Sequence, residues 1–132
     1  MRITIDQEPL PKARARTVIR NGKVMSYTPK RTADAEASIR AQIAQNKVFY
    51  AAGVPLAVKM CFFIAKPPST PKKRQLPVTR PDLDNYCKLV MDACNKFLWA
   101  DDSQIVSMTA FKRYAPVPGI VIDIEEVKNA EY

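Results

Sequence analysis

The residues best suited to chemistry are acidic and lie close together in the chain. Asp82 and Asp84 belong to the segment Arg-Pro-Asp-Leu-Asp-Asn-Tyr-Cys-Lys that ends at Lys88, and the pair Asp101 and Asp102 follows. Carboxylate oxygens with no histidine or thiolate beside them favour magnesium or manganese over zinc. A divalent ion held by such a cluster polarises a water molecule for attack on a phosphate ester. The pattern therefore indicates metal-assisted hydrolysis.

Each of these residues also has a purely structural interpretation. Asp82 can cap a helix that begins directly after it, and Asp84 can interact with the positive end of the helix dipole, each worth about 1 kcal/mol. Lys88 stands four positions after Asp84 and can pair with it on an exposed helix face. Two acidic residues such as Asp101 and Asp102 commonly serve turn chemistry. The residues alone leave both interpretations open.

The chain as a whole is strongly basic. It has 132 residues, with 21 Lys and Arg against 13 Asp and Glu, which gives a formal net charge of +8. This charge favours anionic partners, of which nucleic acid is the commonest, although ribosomes and acidic membranes also attract small basic proteins. The length and the hydrophobic fraction of 47% predict a single domain over residues 1–132 with its own core.

Cysteine content and hydropathy indicate the cellular compartment. Cys61, Cys87 and Cys94 lack the spacing of a zinc site, and no histidine is present to complete one, so we predict reduced core residues. The N-terminus does not resemble a signal peptide, and the longest apolar stretches, such as residues 60–65, are too short to span a bilayer. These features predict a cytoplasmic protein with no membrane partner.

Alternation of apolar and polar residues, together with turn residues, predicts the strands. Asn21-Gly22 between two short strand patterns is a strong hairpin signal, and residues 56–65 are dense in Val, Ile and Phe. A connection over residues 111–118, which contains Lys112 and Arg113, is expected to join the last two strands. The expected strands are 2–6, 17–19, 24–27, 56–65, 105–110 and 119–124.

The chain is also expected to form two main helices. The first is predicted from Thr32, as its N-cap, to about Gln45, and the second from Asp82 or Leu83 to Leu98, where apolar residues recur at helical spacing. The predicted fold class is therefore α+β, a mixed β-sheet of five or six strands with two main helices.

Two features surround the second helix. Pro81 favours an extended approach, so that the side chains of Asp82 and Asp84 can converge although they are only two positions apart. Tyr86 and Trp99 could stack on bases, but their apolar neighbours favour a role as packing anchors.

The sequence from Arg80 to about Lys112 resembles the RusA family of Holliday junction resolvases, many of them carried by phages or prophages. The resemblance rests on Arg-Pro-Asp-Leu-Asp-Asn-Tyr-Cys-Lys-Leu-Val-Met-Asp-Ala followed by Trp-Ala-Asp-Asp-Ser-Gln-Ile-Val. The opening segments Pro9-Leu-Pro-Lys-Ala-Arg-Ala-Arg and Tyr27-Thr-Pro-Lys are also similar to the family, whereas residues 33–79 match only in the order of elements.

This resemblance implies a homodimeric, magnesium-dependent endonuclease that cuts four-way DNA junctions in paired strands during recombination and repair, with manganese as a substitute metal. It implies catalytic roles for Asp82, Asp84, Asp102 and Lys88, the three aspartates being metal ligands. Asp101 is an auxiliary or alternative ligand. Asp92 matches a family position of structural or supporting role.

We predict that basic residues hold DNA phosphates, mostly without reading bases. These residues lie around the hairpin, in the proline-rich loop over residues 66–80 and near the last strands. The predicted set is Lys12, Arg14, Arg16, Lys30, Arg31, Lys72, Lys73, Arg74, Arg80 and Lys112.

The residues alone do not exclude other functions. A non-catalytic basic module that recognises branched DNA would use the same carboxylates only as caps and turns. A phosphatase or a sugar transferase with an Asp-x-Asp motif fits less well. Phosphatases usually place that motif after a buried apolar strand, whereas Pro77-Val-Thr-Arg-Pro precedes it here, and a nucleotide-binding transferase fold needs a longer chain.

Overall fold

A computed structural model describes residues 1–128, which form six strands and two helices. A short 3-10 helix, Asp102–Gln104, precedes the fifth strand. In chain order the elements are β1 (Arg2–Ile5), β2 (Arg16–Arg20), β3 (Lys23–Tyr27), α1 (Lys30–Ala44), β4 (Leu56–Ile64), α2 (Leu83–Cys94), β5 (Ile105–Tyr114) and β6 (Gly119–Glu126).

Four of the strands form one mixed sheet in the order β1-β6-β4-β5. Strand β6 is antiparallel to both β1 and β4, whereas β5 is parallel to β4 and forms one edge of the sheet. A parallel pair needs a long crossover, and α2 supplies it between β4 and β5. The predicted α+β class with a mixed sheet and two helices is confirmed.

The two helices pack on one face of this sheet and enclose the core. Alternating side chains of β4 point toward them, while Lys59 between these positions is exposed on the other face. Tyr86 of α2 stacks on Phe62 of β4 with ring centroids 5.2 Å apart, which confirms its packing role. The main core residues are Ile3, Ile5, Ile39, Ile43, Val58, Met60, Phe62, Leu89, Val90, Ala93, Leu98, Trp99, Ile120, Ile122 and Ile124.

Strands β2 and β3 form a separate two-stranded ribbon. Asn21 and Gly22 have φ angles of 51° and 74°, which are the positive values that a type I′ turn requires at both central residues. The predicted hairpin is confirmed. Its side chains are mostly exposed, including Ile19 and Val24 near the turn.

The first helix differs from its prediction at the N-terminus. It begins at Lys30, after Pro29 in an extended conformation with ψ 142°, and no side chain caps it. Thr32 is buried in the first turn and is not the N-cap, so that prediction was wrong. Proline is common at helix starts because it has no amide hydrogen to leave unpaired. The predicted inward-facing pair, Ile39 and Ile43, is buried.

The second helix ends four residues earlier than predicted. Asn95 has an extended backbone with ψ 127°, and Lys96 lies in the left-handed region with φ 71°. The chain then folds into a compact turn in which the amide of Lys96 donates to the carbonyl of Trp99 at 2.8 Å. Trp99 is fully buried, as predicted for a packing anchor. Burial of Trp99 requires the chain to leave the helical path after Cys94.

Strand β5 is longer than predicted. It continues to Tyr114, so that Lys112 and Arg113 lie in a strand and not in a connection. The reason is pairing with β4, which sets Phe62 opposite Lys112 and Phe63 opposite Arg113. A neighbouring strand thus overrides the polar character of these positions.

Lys12 ties the N-terminal segment to both helices. Its Nζ lies 2.5 Å from Oε1 of Glu36 on α1 and 3.1 Å from Oδ2 of Asp92 on α2, and its amide donates to the carbonyl of Asn85 at 3.0 Å. Burial acts to lower the pKa of the Lys12 ammonium, but bonds and attraction to the two carboxylates outweigh it, so the pKa is raised. The ion pair therefore holds α1 against α2.

Cysteine burial agrees with the sequence analysis. Cys61, Cys87 and Cys94 are free and buried. Burial, with a smaller effect of the Asp102 charge, raises the pKa of the Cys94 thiol to about 12. Among residues 1–128, neither helix has the length and apolar character needed to cross a membrane.

We expect Lys12→Met to lower the free energy of unfolding by about 2 kcal/mol, because it leaves the mostly buried Glu36 carboxylate with only the more distant cation, Arg40 at 3.4 Å. The control is Lys30→Met, which removes a solvent-exposed pair with Asp34 and is expected to have little effect on stability. Urea titrations at pH 7 measure both. A lysine whose pKa is raised in the folded state stabilises that state fully at any pH below its unfolded pKa of 10.5. The stabilisation is lost as the pH rises through the folded pKa, so a measurement at pH 7 reports the whole contribution. Equal costs for the two variants would contradict the assignment.

Candidate active site

Asp82 and Asp84 lie at the N-terminus of α2. Asp82 is the residue before the helix, with φ −67° and ψ 145°, which confirms the extended approach predicted from Pro81. Asp82 occupies the N-cap position, as its structural interpretation predicted, but its side chain makes no capping hydrogen bond. Both residues are exposed, and neither forms an ion pair with any of residues 1–128. These two carboxylates are therefore open to an external cation.

Lys88 follows one helical turn after Asp84. Its Nζ pairs with Oδ1 of Asp92, the next turn along, at 3.1 Å, and not with Asp84 as the structural interpretation had it. Residues four apart share one helix face, so the three side chains form a row on the outside of α2. The side chain of Lys88 is mostly exposed, and its ammonium can reach an anion near Asp84.

Asp102 is fixed at the opposite end of α2. Its Oδ1 accepts a hydrogen bond from Nε1 of Trp99 at 2.7 Å, and its amide donates to Oδ1 of Asn95 at 3.1 Å. Asn95 directly follows the helix, so these bonds place the Asp102 carboxylate beside the C-terminus of α2. The Trp99 indole occupies one of its two oxygens.

Asp101 serves the turn instead. It caps the 3-10 helix Asp102–Gln104 in a capping box, in which its carboxylate accepts from the amide of Ser103 and its own amide donates to Gln104. The Ser103 hydroxyl bond and then the Lys96 ammonium, 3.4 Å away, lower the pKa of Asp101. The turn interpretation of Asp101 is confirmed, which favours Asp102 as the ligand.

The structure does not bring Asp102 to Asp82 and Asp84 within one chain. Helix α2 has 12 residues. At a rise of 1.5 Å per residue it separates its ends by about 18 Å. Magnesium ligands lie about 2.1 Å from the ion, so one ion cannot reach both ends. Accordingly, no three His, Cys, Asp or Glu side chains in residues 1–128 are grouped to hold a metal.

Trp99 and Asn95 hold Asp102 in place. The sequence analysis did not connect either residue with the site. Trp99 was interpreted as a packing anchor, and Asn95 was not singled out. A buried indole needs an acceptor for its N–H group. The spacing Trp-Ala-Asp-Asp offers Asp102 as that acceptor, and this signal could have identified the contact.

Strand β5 runs between the two ends of α2. It starts just after the 3-10 helix that contains Asp102. At its other end, Nζ of Lys112 donates to the carbonyls of Thr79 at 2.9 Å and Pro81 at 2.8 Å. These bonds attach the segment that precedes Asp82 to β5 of the sheet.

Most of the predicted DNA-binding residues lie at two grooves or nearby. A groove of about 470 Å³ beside the hairpin is lined by Arg14, Arg16 and Arg31. A second, of about 270 Å³, is formed by the proline-rich loop and is lined by Arg74 and Arg80. This second groove includes Pro81 and so adjoins Asp82.

The remaining predicted lysines differ in availability. Lys72 and Lys73 are exposed on the proline-rich loop, and Lys30 is exposed although it pairs with Asp34. Lys12 and Lys112 are instead held by internal contacts, which gives them structural roles.

Comparison with known proteins places this site in a family. The family model described as Endodeoxyribonuclease RusA matches residues 6–125. The chain belongs to the RusA family. It is accordingly an endodeoxyribonuclease, a hydrolase of DNA, and the non-catalytic module is not supported. The RusA match includes the carboxylates at both ends of α2 and the residues of both grooves.

Two relatives extend this result. A Bacillus subtilis (strain 168) protein, described as uncharacterized protein YqaN, is 31% identical over 137 aligned positions, which cover 96% of each chain. A protein of Lactococcus phage r1t named crossover junction endodeoxyribonuclease rusA is 39% identical over 95 positions, covering 68% of this chain and 70% of the relative. Proteins similar to this chain thus occur in both a bacterium and a phage.

We expect Asp102→Ala to lower the free energy of unfolding by about 1–3 kcal/mol, because it leaves the buried indole N–H of Trp99 unpaired. Asp102→Asn keeps an oxygen at that position and should cost less. Urea unfolding followed by Trp99 fluorescence measures both. Equal stability of Asp102→Ala and the unmodified protein would contradict the contact.

Proposed function

We propose that this RusA protein resolves four-way DNA junctions in recombination and repair. Acting as a magnesium-dependent homodimer, it hydrolyses one phosphodiester bond in each of two opposed strands. The observation that carries the proposal is the exposed pair Asp82 and Asp84, which forms no ion pair within residues 1–128 and adjoins the groove of Arg74 and Arg80. The name of the phage relative supports the junction as substrate.

The residues at the N-terminus of α2 suit magnesium. Asp82 and Asp84 offer hard oxygen donors, the chain has no histidine, and the thiols are buried. Neighbouring carboxylates repel each other, and a bound cation removes this repulsion. Asp102 is proposed as the third ligand, contributed by the partner protomer of the homodimer, because within one chain α2 holds it about 18 Å away. When bound, magnesium would supply an activated water and charge for the phosphoryl group.

The surrounding cations have separate tasks. The Lys88 ammonium lies on the same helix face as Asp84 and is proposed to stabilise negative charge that develops on the phosphoryl or leaving oxygen. Arg14, Arg16 and Arg31 are proposed to hold the backbone phosphates of one arm of the junction, and the loop arginines those near the scissile bond.

Symmetry supports the homodimer. A four-way junction presents two equivalent strands, and a two-fold dimer presents two equivalent sites to them. The free cysteines agree with work in a reducing cytoplasm. We propose that residues 1–132 act as one endonuclease domain within each protomer.

We expect Asp84→Asn to reduce junction cleavage by about 100-fold or more while junction binding is kept, because it removes a ligand and leaves the arginine grooves intact. Labelled four-way, three-way and duplex DNA with magnesium or a chelator provide the measurement. Asp6→Asn, an exposed change outside the site, is the control. Undiminished cutting by Asp84→Asn would refute the site assignment, and equal cutting of duplex would refute junction selectivity.

We expect Arg14→Gln and Arg16→Gln each to weaken junction binding and to reduce the slope of log K against log salt by about 0.9, the value for one lost phosphate contact. Binding is measured with a chelator present, so that cleavage does not interfere. Lys47→Gln removes an exposed cation away from both grooves and should leave the slope unchanged. An unchanged slope for both arginine variants would contradict the role of the hairpin groove.

A further inference from the structure

The hairpin formed by β2 and β3 exposes apolar side chains that its own fold does not cover. Of residues 16–27, all but Val18 are exposed, and neither strand joins the main sheet. Ile19 is 74% exposed and Val24 is 70% exposed. Single apolar residues are common on protein surfaces, but these two lie directly opposite each other in the ribbon. They therefore form one apolar face at its tip.

The two faces of the ribbon differ in chemistry close to the turn. Residues that pair across antiparallel strands point to the same side, and successive pairs alternate between the sides. Ile19 and Val24 thus occupy one face. Arg20 and Lys23, the pair next to the turn, occupy the other. Neither of these two cations forms an ion pair within residues 1–128. The tip consequently carries large apolar side chains on one side and two cations on the other.

The charge of this segment indicates an anionic partner. Residues 9–33 contain seven Lys and Arg and no Asp or Glu. The cations are Lys12, Arg14, Arg16, Arg20, Lys23, Lys30 and Arg31. The tip of a second copy carries the same positive charge, so contact between two tips would have to overcome repulsion. Because the family acts on DNA and the arginine-lined groove adjoins the start of the ribbon, DNA is the partner that fits.

The apolar face limits which part of DNA the tip can contact. Ile and Val side chains have no hydrogen-bonding groups, so they cannot bind phosphates, but they can pack against the faces of bases. In a duplex these faces are stacked, and a side chain that reaches them must first unstack a step. At a branch point the stack of each arm ends, so base faces can be exposed there at a lower cost. The apolar tip therefore suits a branch point better than a duplex.

The ribbon starts close to the candidate active site. The Lys12 amide donates to the carbonyl of Asn85, the residue after Asp84, at 3.0 Å. Arg16, the first residue of β2, is four positions further along the chain and so lies within about 14 Å of Lys12. Each strand has five residues, which extend the ribbon by about 17 Å. The tip and the carboxylates can therefore contact the same DNA molecule.

We propose that the ribbon acts as a wedge for branched DNA, in which Ile19 and Val24 pack against base faces at the branch point. Arg20 and Lys23 hold the phosphates beside it. The apolar contact forms only where the stack is interrupted, so it favours junctions over duplex. The cationic contact forms with both, so it adds affinity without selectivity. This inference rests on the proposed function, because it assigns the residues that select the branched substrate.

Threonine substitutions test the wedge and preserve the ribbon. Ile19→Thr combined with Val24→Thr keeps both side chains β-branched, which suits a strand, but adds hydroxyl groups that disfavour contact with base faces. Binding to a four-way junction and to a duplex is measured with a chelator present, so that no strand is cut. We expect the ratio of junction affinity to duplex affinity to fall by about tenfold or more, because burial of two apolar side chains is lost.

The matched control is Val117→Thr, which changes an apolar residue that is 71% exposed and lies outside the ribbon. It should leave the affinity ratio unchanged. Circular dichroism verifies that each variant folds. A double threonine variant that folds and keeps the affinity ratio of the unmodified protein would overturn the wedge.

A fluorescent base reports the contact directly. The fluorescence of 2-aminopurine is quenched by stacking, so this base at the branch point should brighten several-fold when the unmodified protein binds. The double threonine variant should not produce this change. The same base in the middle of an arm, where the stack is continuous, is the control. Brightening that the threonine variant retains, or that is equal at both positions, would contradict packing of the tip at the branch point.

Arg20→Gln should show the opposite pattern. It removes a phosphate contact, so the affinities for junction and duplex should fall alike, and the slope of log K against log salt should decrease by about 0.9. The threonine variant removes no charge and should keep the slope. If Arg20→Gln lowered only the junction affinity, the division of tasks between the two faces would be wrong.

Other partners of the tip would give distinct results. If sedimentation showed that the double threonine variant dissociates a dimer formed by the unmodified protein, the tip would be a contact between copies. If that variant lost binding to phosphatidylserine vesicles but kept its affinity ratio for DNA, the tip would face a membrane. Either result would refute the wedge.

The binding measurements need no cleavage, so they separate the wedge from the proposed function. A protein that cuts junctions with magnesium, and whose threonine variant keeps both the affinity ratio and the brightening, would refute the wedge and leave the proposed function intact. A protein whose threonine variant loses both, but which never cuts junctions with magnesium, would refute the proposed function and leave the wedge in place.

Discussion

The length of α2 is the constraint on which the site depends. Twelve residues of helix hold Asp82 and Asp84 at one end and Asp102 at the other. The helix cannot shorten, because its inner face is packed against β4 and its hydrogen bonds set the rise per residue. Every arrangement that unites the three carboxylates must therefore bring two helices together. The same rigidity gives each carboxylate a fixed position, which a metal site requires.

The distribution of ion pairs explains why some acidic residues are available and others are not. Glu36 and Asp92 share Lys12 between the helices, and Asp101 is used by its turn. Such contacts stabilise the fold but also neutralise the carboxylates that make them. Asp82 and Asp84 lack these contacts among residues 1–128, although the helix N-terminus favours negative charge there. The structure thus leaves these two carboxylates where a cation and a phosphate can both approach.

Local signals determined which parts of this molecule could be predicted. The hairpin follows from Asn21-Gly22, strand β4 from its run of apolar residues and the start of α2 from Pro81, because each depends on neighbours in sequence. The predictions for the N-cap of α1, the end of α2 and the length of β5 were wrong, because packing and strand pairing determine these features. The motif located the acidic residues correctly, but the distance between them depends on the fold, which spacing in sequence does not report.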